Sequence, residues 1–418
     1  MGDKMKKIYV YEHWLKDEPT LIGKLYVEEV RGEEIYSFEY DETWLSNPLA
    51  IMLDPELNLY TGRQYSQNKG NFGVFSDSSP DRWGRLLMKK RERINADREG
   101  RKPRALKESD YLLGVFDETR MGGLRFSLED GGEFISNDNT IPTPPWTSIR
   151  TLEEASREFE NDNSKNANIW LKQLLKPGSS LGGARPKANV VDPKGNLWIA
   201  KFPSKYDECD VGAWEKVTHD LAKLCGLNVP ESKIEKFSKL GSTFLVKRFD
   251  RDGEKRIHFS SAMTMLGKKD GSGASDGIGY LDIASFIKSY GASPKEDLKE
   301  LWKRMVFNMA VSNTDDHLRN HGFLLTKEGW KISPLYDVNP IEDGEELSLN
   351  VTETDNRISM DLAISTAKYY GISEEVAKNI VTDIKTIIIQ NWEILAKKYG
   401  LTRNEIEKKK PAFLECYK

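Results

Sequence analysis

Residues 178–250 pass from a Gly-rich turn through short strand patterns and one helical pattern, and this succession limits the folds open to the chain. The turn "GSSLGGA" precedes a strand around "KANVVD", a turn at "PKGN" and a second strand, "LWIAKF". An amphipathic helix pattern follows in "ECDVGAWEKVTHDLAKLCGL", with a Gly and a Pro near its end. Two more strand patterns, "ESKIEKF" and "GSTFLVKRFD", come next. Together they predict a sheet accompanied by one helix.

The preceding segment has its own periodicities. Residues 7–40 alternate, as in "KIYVYEHW" and "EIYSFEY", which is typical of a small antiparallel sheet. Helical periodicity begins in "SPDRWGRLLMKKRERI", where we expect one face to carry Trp83, Leu86, Leu87 and Ile94. The first part of the chain therefore reads as one α+β module.

Two further patterns suggest where the regions meet. "ISNDNTIPTPPWTS" has the composition of a linker, and helical patterns follow in "TLEEASREFE" and "NANIWLKQLL". After the last strand the pattern is mainly helical, apart from a hairpin pattern in "GFLLTKEGWKIS". We therefore expect an α+β module at 1–145, a sheet-bearing region at 146–248 and a mainly helical region at 249–418.

Composition excludes several classes of protein. The chain has 418 residues, of which 38% are hydrophobic and 31% charged, and no apolar run approaches the ~18 residues needed to cross a bilayer. The N-terminus lacks the apolar core of a secretory signal, so we expect a cytoplasmic protein that does not engage a membrane. The three cysteines show no CxxC spacing, which argues against a disulfide framework and a zinc site.

Charge is unevenly distributed. The net charge of -4 argues against a protein coated in nucleic acid, yet residues 81–110 hold eleven Lys or Arg and six acids. The ordinary interpretation is a solvated helix and its loop. A contact surface for an acidic partner or DNA is the alternative.

Polar residues on these elements match the parts of a protein-kinase-like phosphoryl transferase. Gly182 and Gly183 would let backbone N–H groups approach the phosphates of a nucleotide. Lys201, inside an apolar strand, can reach the α- and β-phosphates if a Glu of the next helix holds it, and Glu215 is the candidate. Taken singly, a Gly pair more often turns a hairpin and a strand Lys more often lies exposed at an edge.

The run "NTDDHLRN" supplies the catalytic part. Asp315 precedes Asn320 by five residues, the separation of the catalytic Asp and the metal-binding Asn in protein kinases. After the predicted hairpin, Asp337 can provide a second metal-binding carboxylate, and such oxygen ligands suit Mg²⁺. The alternative is a polar helix cap. A zinc pair of His317 and His321 lacks the H-E-x-x-H context.

Several motifs in this order resemble the HipA-like serine/threonine kinases of bacterial toxin–antitoxin systems. "FSDSSPDRWGRLLM" and "MGGLRFS" resemble the N-terminal module of that family, and "SSLGGARPK", "AKFP", "VKRFDR", "NTDDHLRN" and "LYDV" resemble its kinase core. The resemblance covers nearly the whole chain. It implies an α+β fold: a two-lobed protein-kinase-like fold with an extra N-terminal α+β module and an all-helical C-terminal lobe.

The resemblance also implies residue roles. Asp315 would be catalytic, Asn320 and Asp337 would bind Mg²⁺, and Ser180 would be autophosphorylated, with Ser179 as the competing acceptor. The nucleotide-binding residues that it implies are Gly182, Gly183, Ala184, Arg185, Lys187, Lys201, Lys247, Phe249, His317, Asn320 and Asp337. The "VKRF" segment would be the hinge beside the adenine, although Lys247 stands where a relative has Glu.

The implied function is an ATP- and Mg²⁺-dependent protein serine/threonine kinase that acts as a toxin. A separate DNA-binding antitoxin would neutralise it, so DNA would be met only through that partner, and the substrate would be a component of translation. Two alternatives stay open: a nucleotide-binding corepressor that acts mainly with the antitoxin, and a small-molecule kinase.

Overall fold

The computed structural model describes residues 5–67, 70–136, 143–161, 174 and 183–418. Two compact units divide the chain, one formed by Met1–Ala200 with Arg248–Ser260 and the other by Lys201–Lys247 with Ser261–Lys418. Both contain helices and strands, and the predicted α+β class is confirmed. The division into three regions stays a prediction. The helix expected in "NANIWLKQLL" lies outside the described residues, except for Leu174.

The strands are β1 (Lys6–Glu12), β2 (Thr20–Val30), β3 (Glu33–Tyr40), β4 (Gln64–Tyr65), β5 (Leu124–Ser127), β6 (Lys187–Val191), β7 (Leu197–Lys201), β8 (Ser232–Glu235), β9 (Thr243–Lys247), β10 (Arg251–Asp252), β11 (Lys255–Arg256), β12 (Phe259–Ser261), β13 (Gly322–Thr326) and β14 (Gly329–Ile332).

The α-helices are α1 (Glu42–Leu45), α2 (Gly73–Asp77), α3 (Arg82–Arg98), α4 (Glu108–Leu113), α5 (Ile149–Glu160), α6 (Val211–Leu224), α7 (Ala262–Met265), α8 (Tyr280–Tyr290), α9 (Pro294–Ala310), α10 (Met360–Thr366), α11 (Glu374–Lys398) and α12 (Arg403–Lys409). Short 3-10 helices cover Asp117–Thr119, Trp146–Ser148, Ala274–Asp276, Leu318–Asn320, Ala367–Tyr370 and Lys410–Tyr417.

The first unit is built on an antiparallel sheet in the order β4-β3-β2-β1-β5. Alternation in β1 to β3 directs apolar side chains to one face, where the ring of Phe75 contacts those of Phe38 and Phe126 at centroid distances of 5.5 and 6.1 Å. Burying each such ring contributes about 2–3 kcal/mol. The small antiparallel sheet predicted for residues 7–40 is confirmed.

Helix α3 begins where the Asp81 carboxylate accepts a hydrogen bond from the Gly84 N–H at 2.8 Å. Trp83 and Leu87 are buried as predicted, but Leu86 is 46% exposed and that prediction was wrong. At about 100° per residue, Leu86 points about 100° away from the buried Leu87 and about 160° away from the buried Met88.

A buried ion cluster gives the motifs "VKRFDR" and "MGGLRFS" a structural role in the first unit. The Asp250 carboxylate pairs with Arg248 at 2.6 Å and Arg251 at 2.7 Å, and accepts the Gly122 N–H at 2.8 Å. Burial alone would raise the pKa of Asp250, but the two guanidinium groups hold it well below its ordinary value. The cluster therefore remains ionised and joins two distant segments of one unit.

The second unit packs its helices around a buried aromatic core. Trp392 of α11 stacks on Phe413 with ring centroids 4.5 Å apart, and Trp214 of α6 lies 6.4 Å from the same ring. Helix α6 is capped by the Asp210 carboxylate, which accepts the Ala213 N–H at 3.1 Å. Strands β13 and β14 form the predicted hairpin. Across the ranges described above, no helix is both long and apolar enough to cross a membrane.

Candidate active site

The central feature of the second unit is a lysine held by two carboxylates. Lys201, the last residue of β7, donates from Nζ to Glu215 Oε1 at 2.5 Å and to Asp337 Oδ1 at 2.8 Å. Helix α6 places Glu215 one turn after its start at Val211. The predicted pair of Lys201 and Glu215 is therefore formed, and Asp337 joins it.

Burial and charge act in opposite directions on this lysine. Burial disfavours the ammonium form, but the carboxylates of Asp337 and Glu215 outweigh burial and raise the pKa of Lys201 above its ordinary value. The side chains of Lys201 and Glu215 are 12% and 7% exposed. Lys201 is thus positively charged at neutral pH, in a site with little solvent screening.

The backbone at Asp337 is unusual. Its φ of +59° lies in the left-handed region, which a non-Gly residue adopts only where its surroundings favour it. The neighbouring residues are fixed on both sides: the Leu335 N–H donates to the Asn228 carbonyl at 2.8 Å, and the Thr218 hydroxyl donates to the Val338 carbonyl at 2.7 Å. These contacts hold the backbone on both sides of Asp337.

The run "NTDDHLRN" forms a loop between α9 and β13, as its polar composition predicts. Asn313 is buried and donates from Nδ2 to Asn308 Oδ1 of α9 at 3.0 Å. The Ile341 N–H donates to the Ser312 carbonyl at 3.2 Å. Ser312 itself has a φ of +47°. The loop is therefore fixed at its first residues by α9 and by the segment that follows Asp337.

Asn320 closes the loop back onto Asp315. Its Nδ2 donates to the Asp315 carbonyl at 2.9 Å, whereas its Oδ1 is buried and has no hydrogen-bond partner among the described residues. A buried amide oxygen without a partner is costly, and a bound cation would satisfy it. Together with the Asp337 carboxylate, this oxygen provides the donor type that Mg²⁺ prefers, so the residues fit the predicted metal.

The two other predicted residues of the loop differ in exposure. Asp315 is exposed, which suits a carboxylate that must meet an acceptor hydroxyl. His317 is half-buried, and its Nδ1 atom finds no hydrogen-bond partner within the described part of the chain. The role of His317 near the nucleotide stays a prediction.

The predicted phosphate-binding residues of the Gly-rich segment belong to the first unit. Gly183 has a φ of +82°, a backbone conformation that residues with a side chain rarely adopt. Lys187 donates to Asp81 Oδ2 at 3.1 Å and to the Gly183 carbonyl at 3.4 Å. Ala184 is exposed and Arg185 half-buried. Their assignment to the nucleotide stays a prediction, and Ser179, Ser180 and Gly182 lie outside the described residues.

The two predicted hinge residues, Lys247 and Phe249, belong to different units. The Lys247 N–H donates to the Glu231 carbonyl at 2.8 Å in the second unit, so an adenine contact from Lys247 would have to come from its carbonyl group. Phe249, in the first unit, lies with its ring 6.1 Å from that of Phe259. Neither observation tests the hinge, which stays a prediction.

Comparison with known proteins identifies the family. The profile of the HipA-like C-terminal domain matches residues 179–392, just over half of the chain, and that of the HipA N-terminal domain matches residues 14–101. The chain belongs to the HipA-like family. The resemblance carried by the motifs is thereby confirmed.

Relatives of this HipA-like chain include named kinases. It is 28% identical over 271 residues to the serine/threonine-protein kinase toxin HipA of Shewanella oneidensis, covering 57% of this chain and 61% of that protein. It is 27% identical over 194 residues to a Haemophilus influenzae protein whose name places it among kinases, covering 42% of this chain and 56% of that protein. The chain thus spans less than two thirds of the length of either relative.

A solved structure extends the likeness in fold. HipA in the Shewanella oneidensis complex of HipA, HipB and operator DNA matches with a TM-score of 0.67, covering 97% of this chain and 96% of that one at 19% identity. At that identity the match establishes the fold alone, which is the kinase-like fold of HipA.

Sequence reasoning missed one part of the HipA-like loop. Asp316, next to Asp315, is buried and accepts hydrogen bonds from Tyr280 of α8 and from His321. His321 contacts this carboxylate through Nε2. Among the described residues no group of three or more His, Cys, Asp or Glu side chains is placed to hold a metal ion, so the zinc-pair alternative of His317 and His321 has no third such ligand there. The only signal was the doubled acid in "TDDH", since Tyr280 lies 36 positions from Asp316.

Proposed function

We propose that this chain is an ATP- and Mg²⁺-dependent protein serine/threonine kinase and the toxin of a toxin–antitoxin module. The observation that carries the proposal is the Lys201 ammonium bound by both Glu215 and Asp337. In protein kinases a strand Lys paired with a helix Glu, together with a metal-binding Asp, must be in place for phosphoryl transfer. The named relatives support the same class of reaction.

Each side chain has one task in the proposed reaction. Lys201 binds the α- and β-phosphates of ATP, and Glu215 keeps its ammonium group in position. Asp315 accepts the proton of a Ser or Thr hydroxyl. That oxygen forms a bond to the γ-phosphorus while the bond from the γ-phosphorus to the β,γ-bridging oxygen breaks, and ADP leaves with that bridging oxygen.

Asn320 and Asp337 would hold Mg²⁺ through the Asn320 Oδ1 atom and the Asp337 carboxylate. The ion, when bound, neutralises charge on the phosphates. Because Lys201 contacts Asp337 Oδ1 at 2.8 Å, metal binding would compete with this contact. The competition would move Lys201 toward Glu215 and the phosphates.

Autophosphorylation at Ser180 belongs to the same proposal and rests on the family resemblance. A phosphate there adds a charge of about -1.5 to -2 at neutral pH, which would repel a nucleotide and limit the activity. Mass spectrometry of protein purified with intact Asp315 and with Asp315→Gln tests it. Absence of phosphate from Ser179 and Ser180 in the active form, or equal phosphate in both proteins, would reject it.

The proposed partner is a separate DNA-binding antitoxin, with DNA met through that partner. Support comes from the structural neighbour, which is HipA in a complex with HipB and operator DNA. The protein substrate is proposed to be a component of translation, on the family resemblance alone.

The deciding experiment is incubation of the purified protein with labelled ATP and Mg²⁺, with and without cell lysate. We expect label on the protein itself and on a lysate protein, at Ser or Thr. Asp315→Gln is the matched variant and should transfer no label. Equal labelling by both proteins would show that the activity does not come from this site, and absence of label with the intact protein would reject the function.

A further inference from the structure

A buried hydrogen-bonded network lies beneath the proposed catalytic loop. Asp316 Oδ2 accepts from the Tyr280 hydroxyl at 2.5 Å and from His321 Nε2 at 2.8 Å. Tyr280 and His321 are 0% exposed and Asp316 is 1% exposed. A buried carboxylate is costly unless it is well paired, and these two donors supply the pairing for Asp316, directly beside Asp315.

The network and the proposed metal ligand form two parallel links across the same loop. Asn320 Nδ2 reaches back to the Asp315 carbonyl, and His321 reaches back to the Asp316 carboxylate, each across five residues. The two links join consecutive residues at both ends. The link from His321 to Asp316 therefore also fixes the backbone of Asp315 and Asn320, which the other link joins. Asp315 is exposed and Asp316 buried, so one side of the loop is anchored while the other remains accessible.

The loop has two further anchors in the same unit. The Ser348 hydroxyl donates to the Thr314 carbonyl at 2.6 Å, and the Ala262 N–H donates to the His321 carbonyl at 2.8 Å. Tyr280 is itself fixed, because its N–H donates to the Asn350 carbonyl at 2.9 Å and its ring meets that of His321 edge to face. Tyr280 lies in the Gly-rich segment 267–282, "GKKDGSGASDGIGYLD", to which the sequence motifs assign no role.

We propose that Tyr280, Asp316 and His321 are positioning residues for phosphoryl transfer. By fixing the buried side of the loop, they hold the Asp315 carboxylate and the Asn320 Oδ1 atom at the separation that the reaction requires. This inference rests on the proposed kinase function. It gives the Gly-rich segment 267–282 a function, which is to bring the Tyr280 hydroxyl to Asp316.

The first test is Tyr280→Phe, which removes one hydroxyl and keeps the ring packing. We expect kcat to fall about tenfold, the effect of one lost hydrogen bond to a charged group, with the KM for ATP within about threefold of the parent value. Tyr370→Phe is the matched control. Tyr370 is also buried in this unit, and its hydroxyl makes no hydrogen bond to any residue that the structure describes, so kcat should stay unchanged.

The second test does not depend on activity. Amide hydrogen exchange over residues 313–321 should become at least about tenfold faster in Tyr280→Phe and in Asp316→Asn, with no such change in Tyr370→Phe. Unchanged kcat together with unchanged exchange in Tyr280→Phe would overturn the inference, and so would a lowered melting temperature with unchanged kcat. If the parent protein transfers no phosphate, the proposed function fails, while the exchange measurement still decides whether the network orders the loop.

Discussion

Replacing Glu215 with Gln removes one negative charge from a site where Lys201 has two carboxylate partners. The side chain keeps its size, and its amide oxygen can still accept a hydrogen bond from Nζ. Of these two carboxylate partners, Lys201 would then keep only Asp337. Because Asp337 is also the proposed metal ligand, lysine and Mg²⁺ would compete more strongly for one carboxylate.

The size of the effect follows from burial. A hydrogen bond to a charged group contributes about 1.5–3 kcal/mol, and solvent screening is slight for side chains as buried as Lys201 and Glu215. At 1.4 kcal/mol per tenfold change, kcat/KM for ATP should fall about 10- to 100-fold. The free energy of unfolding should fall by less than the ~3–5 kcal/mol expected for an unpaired buried charge, since Asp337 remains.

Initial-rate kinetics over a matrix of ATP and Mg²⁺ concentrations would measure this, and the Mg²⁺ concentration for half-maximal rate should rise. Glu393→Gln is the matched control, because Glu393 pairs with Lys397 at 3.3 Å on the surface of α11. It should change the free energy of unfolding by less than about 0.5 kcal/mol and leave kcat/KM unchanged. A folded Glu215→Gln protein with kcat/KM within threefold of the parent would refute the role given to this pair.

Asp337→Asn should weaken Mg·ATP binding at least about tenfold while Asp315→Gln leaves it within about threefold; equal losses in calorimetry would contradict the division of roles. Lys89 and Arg93 are both exposed on α3. In the complex of this protein with antitoxin and operator DNA, the double variant Lys89→Gln, Arg93→Gln should reduce the slope of log binding constant against log salt concentration by up to about 1.8, if each side chain contacts a phosphate. An unchanged slope would show that this part of α3 is only solvated. Burial raises the pKa of Asp192, but hydrogen bonds from Asn196 and Trp198 outweigh burial and lower this pKa to about 2. These hydrogen bonds therefore stabilise the fold fully above the pKa of about 4 that Asp192 has in the unfolded chain, and the stabilisation is lost as the pH falls toward 2. In urea unfolding, Asp192→Asn should therefore cost about 1 kcal/mol at pH 7 and less at pH 3, and an equal cost at both would reject the assignment.

Sequence periodicity predicted strands and helices well where the apolar residues of an element mark a single buried face. The four strand patterns between residues 187 and 247 are all observed, as is the hairpin of β13 and β14. In α3, by contrast, Trp83, Leu86 and Leu87 all satisfy a helical spacing, and spacing alone does not say where the buried face is centred. Only packing against the rest of the unit assigns Leu86 to the exposed side.

The candidate site was predictable where a chemical role fixes both residue type and order. A charged Lys in an apolar strand and a Glu on the next helix are conspicuous, and the structure brings Lys201 and Glu215 to 2.5 Å. The network at Asp316 was not predictable. Its partner Tyr280 lies far away in sequence, and a buried Tyr at a helix start has many possible neighbours.

In the described part of the second unit, the non-Gly residues with strained backbone lie in the two segments with proposed chemistry. Ser312 and Asp337 have positive φ values of 47° and 59°, and Asn320 Oδ1 is buried without a partner among the described residues. Strained backbone of this kind costs about 1–3 kcal/mol per residue, and the surrounding helices and the Asp316 network must offset it. A cation shared by Asn320 and Asp337 would satisfy the unpaired oxygen only if both loops already had these conformations. The strain is therefore better explained as preorganisation for a ligand than as a requirement of the fold.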